Sequence, residues 1–186
     1  MRLFIAINVP TAVRDAIFAD SAPLRAATAG IKWVAAPSLH VTVKFIGEWP
    51  ETAVDDVRGA IARAVTGHAP FEVETTTVGA FPNFRRPRVV WVGMTGETRL
   101  RALASDVDRR CAPLGIAAES RPFQAHLTLG RAKRELPPAE AKALADAADA
   151  KRPGRAFAVR TVDLMRSELG PGGSRYSVVA AVPLHP

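Results

Sequence analysis

Apolar residues recur along this chain at two spacings, one of strands and one of helices. Runs of strand length fall at residues 3–7, 31–34, 39–46, 71–78, 88–92 and around 126–129, with Pro37-Ser38 before the third and Gly47 closing it. Between them, apolar positions three and four apart mark amphipathic helices. Pro10-Thr11 opens the first, with Val13, Ile17 and Leu24 inward. Val54, Val57, Ile61 and Val65 define a second over 52–65. Leu100, Leu103, Val107, Cys111 and Leu114 line a third over 97–114, with Gly115 placed to stop it. Pro137-Pro138 begins an Ala-rich fourth that ends before Lys151. The last third predicts a strand over 157–165, a turn at Pro171-Gly172-Gly173 and a strand over 176–182, the last two strands paired as a hairpin.

This alternation predicts an α+β fold with mainly antiparallel sheets and helices outside. No Pro/Gly/Ser-rich linker is long enough to separate independent domains, so residues 1–186 read as a single domain. Composition agrees with a globular chain: 48% of residues are hydrophobic and 23% charged, with mean hydropathy +0.05. The single cysteine, Cys111, fits the apolar stripe of its helix and excludes an internal disulfide and a multi-cysteine zinc site. No apolar run is long enough to cross a bilayer. The opening apolar run is interrupted by Asn8 and Pro10 and followed by Arg14, Asp15 and Asp20, which reads as a first strand rather than a secretion signal. The expectation is a cytoplasmic protein without a membrane partner. A formal charge of +7 favours an anionic partner without choosing which.

Chemistry enters with the histidines, of which there are four: His40, His68, His126 and His185. Two share one pattern, Leu39-His40-Val41-Thr42-Val43 and Ala125-His126-Leu127-Thr128-Leu129, and both the histidines and the threonines are 86 residues apart. In a strand, residues two apart project from the same face, so each motif offers an imidazole beside a hydroxyl. Two such strands across a groove would suit in-line phosphodiester cleavage. One imidazole takes the proton of the nucleophile and the other supplies one to the leaving oxygen. The threonine hydroxyls donate to non-bridging phosphoryl oxygens. A single His-x-Thr on a strand is ordinary structure; two copies in a chain with so few histidines point to function. A zinc site using both would lack a third ligand. No metal and no cofactor are expected.

The paired motifs resemble the two-histidine phosphoesterase superfamily. The wider chain is similar to its RNA 2′,3′-cyclic phosphodiesterase branch, also called LigT-like or 2′-5′ RNA ligase. The resemblance runs through Met1-Arg2-Leu3-Phe4-Ile5-Ala6-Ile7, Ile31-Lys32-Trp33-Val34, Lys44-Phe45-Ile46-Gly47-Glu48, Gly79-Ala80-Phe81-Pro82 and Val89-Val90-Trp91-Val92-Gly93. It continues through Arg121-Pro122-Phe123, Gly130-Arg131 and Leu164-Met165-Arg166-Ser167-Glu168-Leu169, with Gly172 and Tyr176. It implies a bilobal fold, two antiparallel sheets related by an internal pseudo-repeat with helices outside and a central groove. It implies His40 and His126 as the catalytic pair, with His126 preferred as base and His40 as acid. Thr42, Thr128 and Arg131 would bind the substrate phosphate. The implied reaction opens a terminal 2′,3′-cyclic phosphate to a 2′-phosphate on RNA ends or nucleotides, with 2′-5′ RNA ligation as its reversible counterpart, and requires no obligate protein partner; a monomer is expected. Ala125 and Gly130 depart from the Pro and Ala that relatives commonly carry there. Two alternatives stay open: a non-catalytic RNA-end or nucleotide-binding module, and a phosphodiesterase for a small non-RNA cyclic phosphate.

Around these motifs, strand parity puts Phe45 opposite Thr42, in the core. Lys44 shares the parity of Thr42 and faces either the groove or, more simply, solvent. Phe81 and Phe84 fall in a loop with Arg85, Arg86 and Arg88. Phe84, Arg85 and Arg86 are candidate RNA contacts, since aromatics interleaved with arginine stack bases and neutralise phosphates; a merely solvated basic loop reads equally well. Trp33 and Trp91 read as core. Arg166 and Ser167 are candidate groove contacts. His68 and His185 read as exposed and inert.

Overall fold

The computed structural model describes residues 1–171 and 173–186. The chain runs β1 (Arg2–Asn8), α1 (Thr11–Asp20), α2 (Ala22–Ala27), β2 (Ile31–Trp33), β3 (His40–Glu48), α3 (Val54–Val65), β4 (Phe71–Phe81), β5 (Val89–Met94), α4 (Glu97–Cys111), β6 (His126–Ala132), α5 (Pro138–Asp149), β7 (Ala156–Val159), β8 (Thr161–Gly170) and β9 (Gly173–Pro183). The α+β expectation with antiparallel pairing and external helices holds. Of the expected Pro171-Gly172-Gly173 turn, Gly172 lies outside the described residues.

The strands fall into two antiparallel halves. One half is β3-β1-β8-β9, and the other is β7-β4-β5-β6 with β2 paired to β6. The halves join through one residue pair, Val41 of β3 opposite Leu127 of β6, so the described strands form one continuous sheet. That pair lies inside the two His-x-Thr motifs. The seam of the fold and the repeated motif are therefore the same place.

Hydrophobic burial explains the arrangement. Leu3, Ile5 and Ile7 of β1 face the main core, while Phe4 and Ala6 on its other face meet Met165 of β8. Both faces are covered, which is why β1 reads as an unbroken apolar run. Helices α3 and α4 pack together over the β3 half, through Val57, Ile61, Leu103, Val107 and Cys111, whereas α2 and α5 pack against each other on the β4 half. The core is continuous from Leu3 to Leu184 and includes Val41 and Leu127 at the seam. Each such side chain contributes about 1.5–3 kcal/mol of burial.

Two expectations are corrected. The strand expected over 157–165 is two strands, broken at Arg160. Phe71 pairs with Val159 on the β4 edge, while Ala6 pairs with Asp163 in the other half. Both pieces are buried, so the apolar pattern does not interrupt where the chain changes partner. The first helix is likewise broken at Ser21, whose backbone N–H and hydroxyl both donate to Ile17 O and end α1.

Candidate active site

The two motif strands carry matching irregularities. Thr42 pairs with Ala6 and Lys44 with Ile5, leaving Val43 unmatched. Thr128 pairs with Trp91 and Gly130 with Val90, leaving Leu129 unmatched. Each is a one-residue bulge three positions after the histidine, and a bulge reverses the alternation beyond it. His40 and Thr42 share the groove face with His126 and Thr128. After the bulge, Lys44 and Gly130 turn inward while Phe45 and Arg131 emerge on the groove side.

This corrects two expectations. Phe45 is not core: it is 62% exposed and lines the groove. Lys44 is not a surface lysine: it is 1% exposed in the wall of the His126 side of the groove, and its Nζ donates to Asp108 Oδ1 at 2.5 Å and Ala117 O at 2.7 Å. Asp108 also accepts from the backbone N–H of Glu119. The buried ammonium thus fastens α4 to the coil that leads into β6. At the equivalent place in the other strand, Gly130 leaves room for β2: a Cβ there would lie 2.5 Å from Ile31 Cγ2 and 2.9 Å from Trp33 Cε3.

The groove consists of two adjoining cavities. One, of about 420 Å³, is bordered by His126, Phe123 and Gln124; the other, of about 450 Å³, by His40, Phe4 and Tyr176. Thr42, Phe45, Thr128 and Arg131 line both and form the shared centre. Among the described residues no carboxylate lies within ion-pair distance of Arg131, so its charge is available to an anion.

Both imidazoles are held identically. His40 Nδ1 lies 2.8 Å from Ser38 O, and His126 Nδ1 lies 2.8 Å from Gln124 O. A carbonyl only accepts, so each Nδ1 carries the proton and each Nε2 is left for chemistry. Burial lowers the pKa of both histidines below the ordinary value, the hydrogen bond to the carbonyl opposes it, and the Arg131 cation adds to the lowering. Aromatic rings complete each setting. Phe4 and Tyr176 stand 5.0 and 5.2 Å from the His40 ring, and Phe81 stands 5.2 Å from His126 with Trp91 behind it at 5.1 Å. Gly79 makes space for Trp91, because a Cβ there would overlap the indole.

The chain belongs to the 2′-5′ RNA ligase superfamily. The family's model matches residues 13–171, which include both motifs. The RNA 2′,3′-cyclic phosphodiesterase of Archaeoglobus fulgidus is 36% identical over 137 residues, covering 74% of this chain and 76% of that protein. The protein of the same name from Methanothermobacter thermautotrophicus is 31% identical over 179 residues, 95% of each. A solved structure of a Thermus thermophilus protein superposes with a TM-score of 0.80 at 31% identity, covering 99% of this chain and 98% of that one.

Within this superfamily member, His40, His126, Thr42, Thr128 and Arg131 come together, and Ser167 borders the His40 cavity. The candidate RNA contacts do not. Phe84 packs against the core, the Arg85 and Arg86 backbone N–H groups donate to Asn83 Oδ1, and Arg86 pairs with Glu135 at 3.3 Å away from both groove cavities. Arg166 pairs with Glu168 at 2.8 Å. Phe81 ends β4 against His126 rather than lying in the basic loop. His68 is not a free surface histidine: it is largely buried and its Nε2 meets Asp106 Oδ2 at 2.7 Å. Trp33 and Trp91 are partly buried, each with an indole N–H that has no partner among the described residues. Phe4, Tyr176 and Phe45 were missed as groove residues. Phe4 is one apolar residue in an apolar run, and nothing in the sequence signals which face a bulged strand presents.

Proposed function

We propose that this protein is an RNA 2′,3′-cyclic phosphodiesterase that opens a terminal 2′,3′-cyclic phosphate to a 2′-phosphate by acid–base catalysis from His40 and His126. The observation that carries the reading is the duplicated imidazole geometry: two Nδ1–H groups committed to backbone carbonyls, and two Nε2 atoms left to one groove with two threonines and an arginine that has no carboxylate at ion-pair distance among the described residues. The relatives named for this activity support it.

The cyclic phosphate lies between Thr42 and Thr128, whose hydroxyls donate to its non-bridging oxygens, with Arg131 balancing the charge that builds there. Neutral His126 takes a proton from water as the water oxygen bonds to phosphorus. The bond from phosphorus to the ribose 3′ oxygen breaks, and protonated His40 supplies the proton to that oxygen. With a ribose 5′ hydroxyl in place of water, the same steps form a 2′-5′ linkage. All groups needed are side chains of this chain, so activity should survive EDTA. Residues 1–186 act as one bilobal unit, because each lobe contributes one imidazole. Arg85 and Arg86, outside the groove, would reach only the body of an RNA strand and not its cyclic end.

Incubating the protein with a 2′,3′-cyclic nucleotide and identifying the product tests this. A 2′-phosphomonoester is expected; an intact cyclic phosphate at saturating protein would sink the reading in favour of a binding module.

A further inference from the structure

We propose that Arg14 is a positioning residue for His40, holding the turn whose carbonyl carries the imidazole. This rests on the phosphodiesterase reading and deepens it by naming the group that sets the geometry of its acid.

His40 is aimed by the Ser38 carbonyl, which accepts from its Nδ1–H. That carbonyl belongs to a tight turn over 35–39, between β2 and β3, in which four successive carbonyls are engaged. Ala35 O accepts from the Ser38 N–H and Ala36 O from the Leu39 N–H. Pro37 O accepts from Arg14 Nη1 at 2.8 Å, and Ser38 O from His40 at 2.8 Å. A peptide unit is planar, so a hydrogen bond at each edge fixes its plane. The 37–38 unit is held by Ala35 on one edge and Arg14 on the other, and the 38–39 unit by Ala36 and the His40 ring. Three of these partners lie within the 35–40 segment itself. Arg14 reaches in from α1, 23 residues away, and ties the turn to the rest of the fold.

The guanidinium is committed to this contact. Its Nη2 donates to Thr11 Oγ1 at 3.1 Å, one turn earlier in α1. Its Nε is buried without a partner, and among the described residues no carboxylate lies at ion-pair distance from it. Half-burying a cation without a counter-charge costs free energy, and functional geometry is where folds carry such costs. His126 is held without Arg14: the coil before it is fastened farther off, at Ala117 and Glu119, by the Lys44–Asp108 pair. One histidine therefore serves as the internal control for the other.

Ring ¹⁵N spectra of the labelled protein at about pH 8, where both imidazoles are neutral, report the tautomer of each. The parent should show both rings protonated at Nδ1. In Arg14→Met, which keeps the stem and loses the donors, the His40 signals alone should move towards a mixture with the Nε2–H form. On a 2′,3′-cyclic nucleotide, kcat should fall by about 10- to 100-fold with KM little changed, the cost of a misplaced catalytic group. The alkaline limb of the pH profile, set by the acid His40, should move to lower pH, because the carbonyl bond that raises its pKa is weakened. Arg14→Lys keeps a donor and should lie between Arg14→Met and the parent in all three readouts; it carries the test if Arg14→Met does not fold. His40 signals unchanged from the parent in the folded variants overturn the assignment. So does a raised KM with kcat retained, which would make Arg14 a substrate contact instead. A parent that leaves the cyclic nucleotide intact overturns the phosphodiesterase reading, while the ring spectra still decide whether Arg14 holds His40.

Discussion

Phe45 and Arg131 stand at the same step of two strands, each five residues after a histidine and just beyond a one-residue bulge, and both open onto the centre of one groove. The shared geometry makes the two halves of the site alike. The different side chains make them unlike, with an apolar ring on one strand and a cation on the other. The consequences fall on the histidines, on the charge around them and on the packing behind each strand.

Replacing either His40 or His126 by Ala should lower kcat by about 10²–10⁴-fold, the usual contribution of one acid or base. The double variant should lose little more than the worse single variant, because acid and base act in one step. Both lie on the rim of a groove rather than in the core, so circular dichroism should stay that of the parent. Turnover near the parental rate in either single variant rules the pair out.

The pH profile should be displaced towards acid. Burial and Arg131 disfavour the protonated imidazoles, so both pKa values lie below the ordinary 6.5. The productive form has one neutral and one protonated ring and is most populated between the two lowered values. The bell of kcat/KM should therefore peak below pH 6.5. Arg131→Met removes a cation that lowers both values, so its bell should move to higher pH while KM rises. The histidine shifts also affect folding with a defined sign. The unfolded chain binds more protons, so their stability contribution is complete above pH 6.5 and is lost as pH falls through the lowered values. Thermal unfolding at each pH separates that loss from the titration of activity.

The Lys44–Asp108 pair gives an asymmetric stability prediction. Asp108→Ala leaves an ammonium that is 1% exposed with only the half-exposed Glu119 carboxylate at 3.9 Å, and should cost about 3 kcal/mol, the lower end for a broken buried pair. Lys44→Met keeps the buried stem's volume and leaves a carboxylate that is 26% exposed to water, so it should cost less. Urea denaturation of both variants checks the order; the reverse order would mean that the pair is not what holds the 117–125 coil.

Gly130→Ala adds a methyl where Ile31 and Trp33 approach to 2.5 and 2.9 Å. Overpacking of this kind typically costs about 1–3 kcal/mol. The neighbouring contacts are a β-branched side chain, an indole and the Lys32 carbonyl at 3.1 Å, so β2 must shift against β6. Denaturant melts should show the loss, and tryptophan fluorescence should report the movement of Trp33. A Gly130→Ala variant as stable as the parent would show that β2 adapts freely.

Much of this protein is determined by its sequence. Strand and helix periodicities place nearly every element, because burying one face of a helix or strand requires apolar residues at the period of that structure. The repeated His-x-Thr spacing locates the candidate chemistry, because residues two apart on a strand share a face. The tertiary structure decided the rest. The apolar stretch around Arg160 belongs to two strands in opposite halves, and burial is indifferent to which partner supplies it. Strand parity failed at Lys44 and Phe45, because a bulge is a property of the pairing between two strands and is invisible in either one. The same bulge buries a charge that finds Asp108, 64 residues away, and exposes a ring that local pattern assigns to the core. Local periodicity says which residues can share a face; only the partner strand decides which face meets the groove.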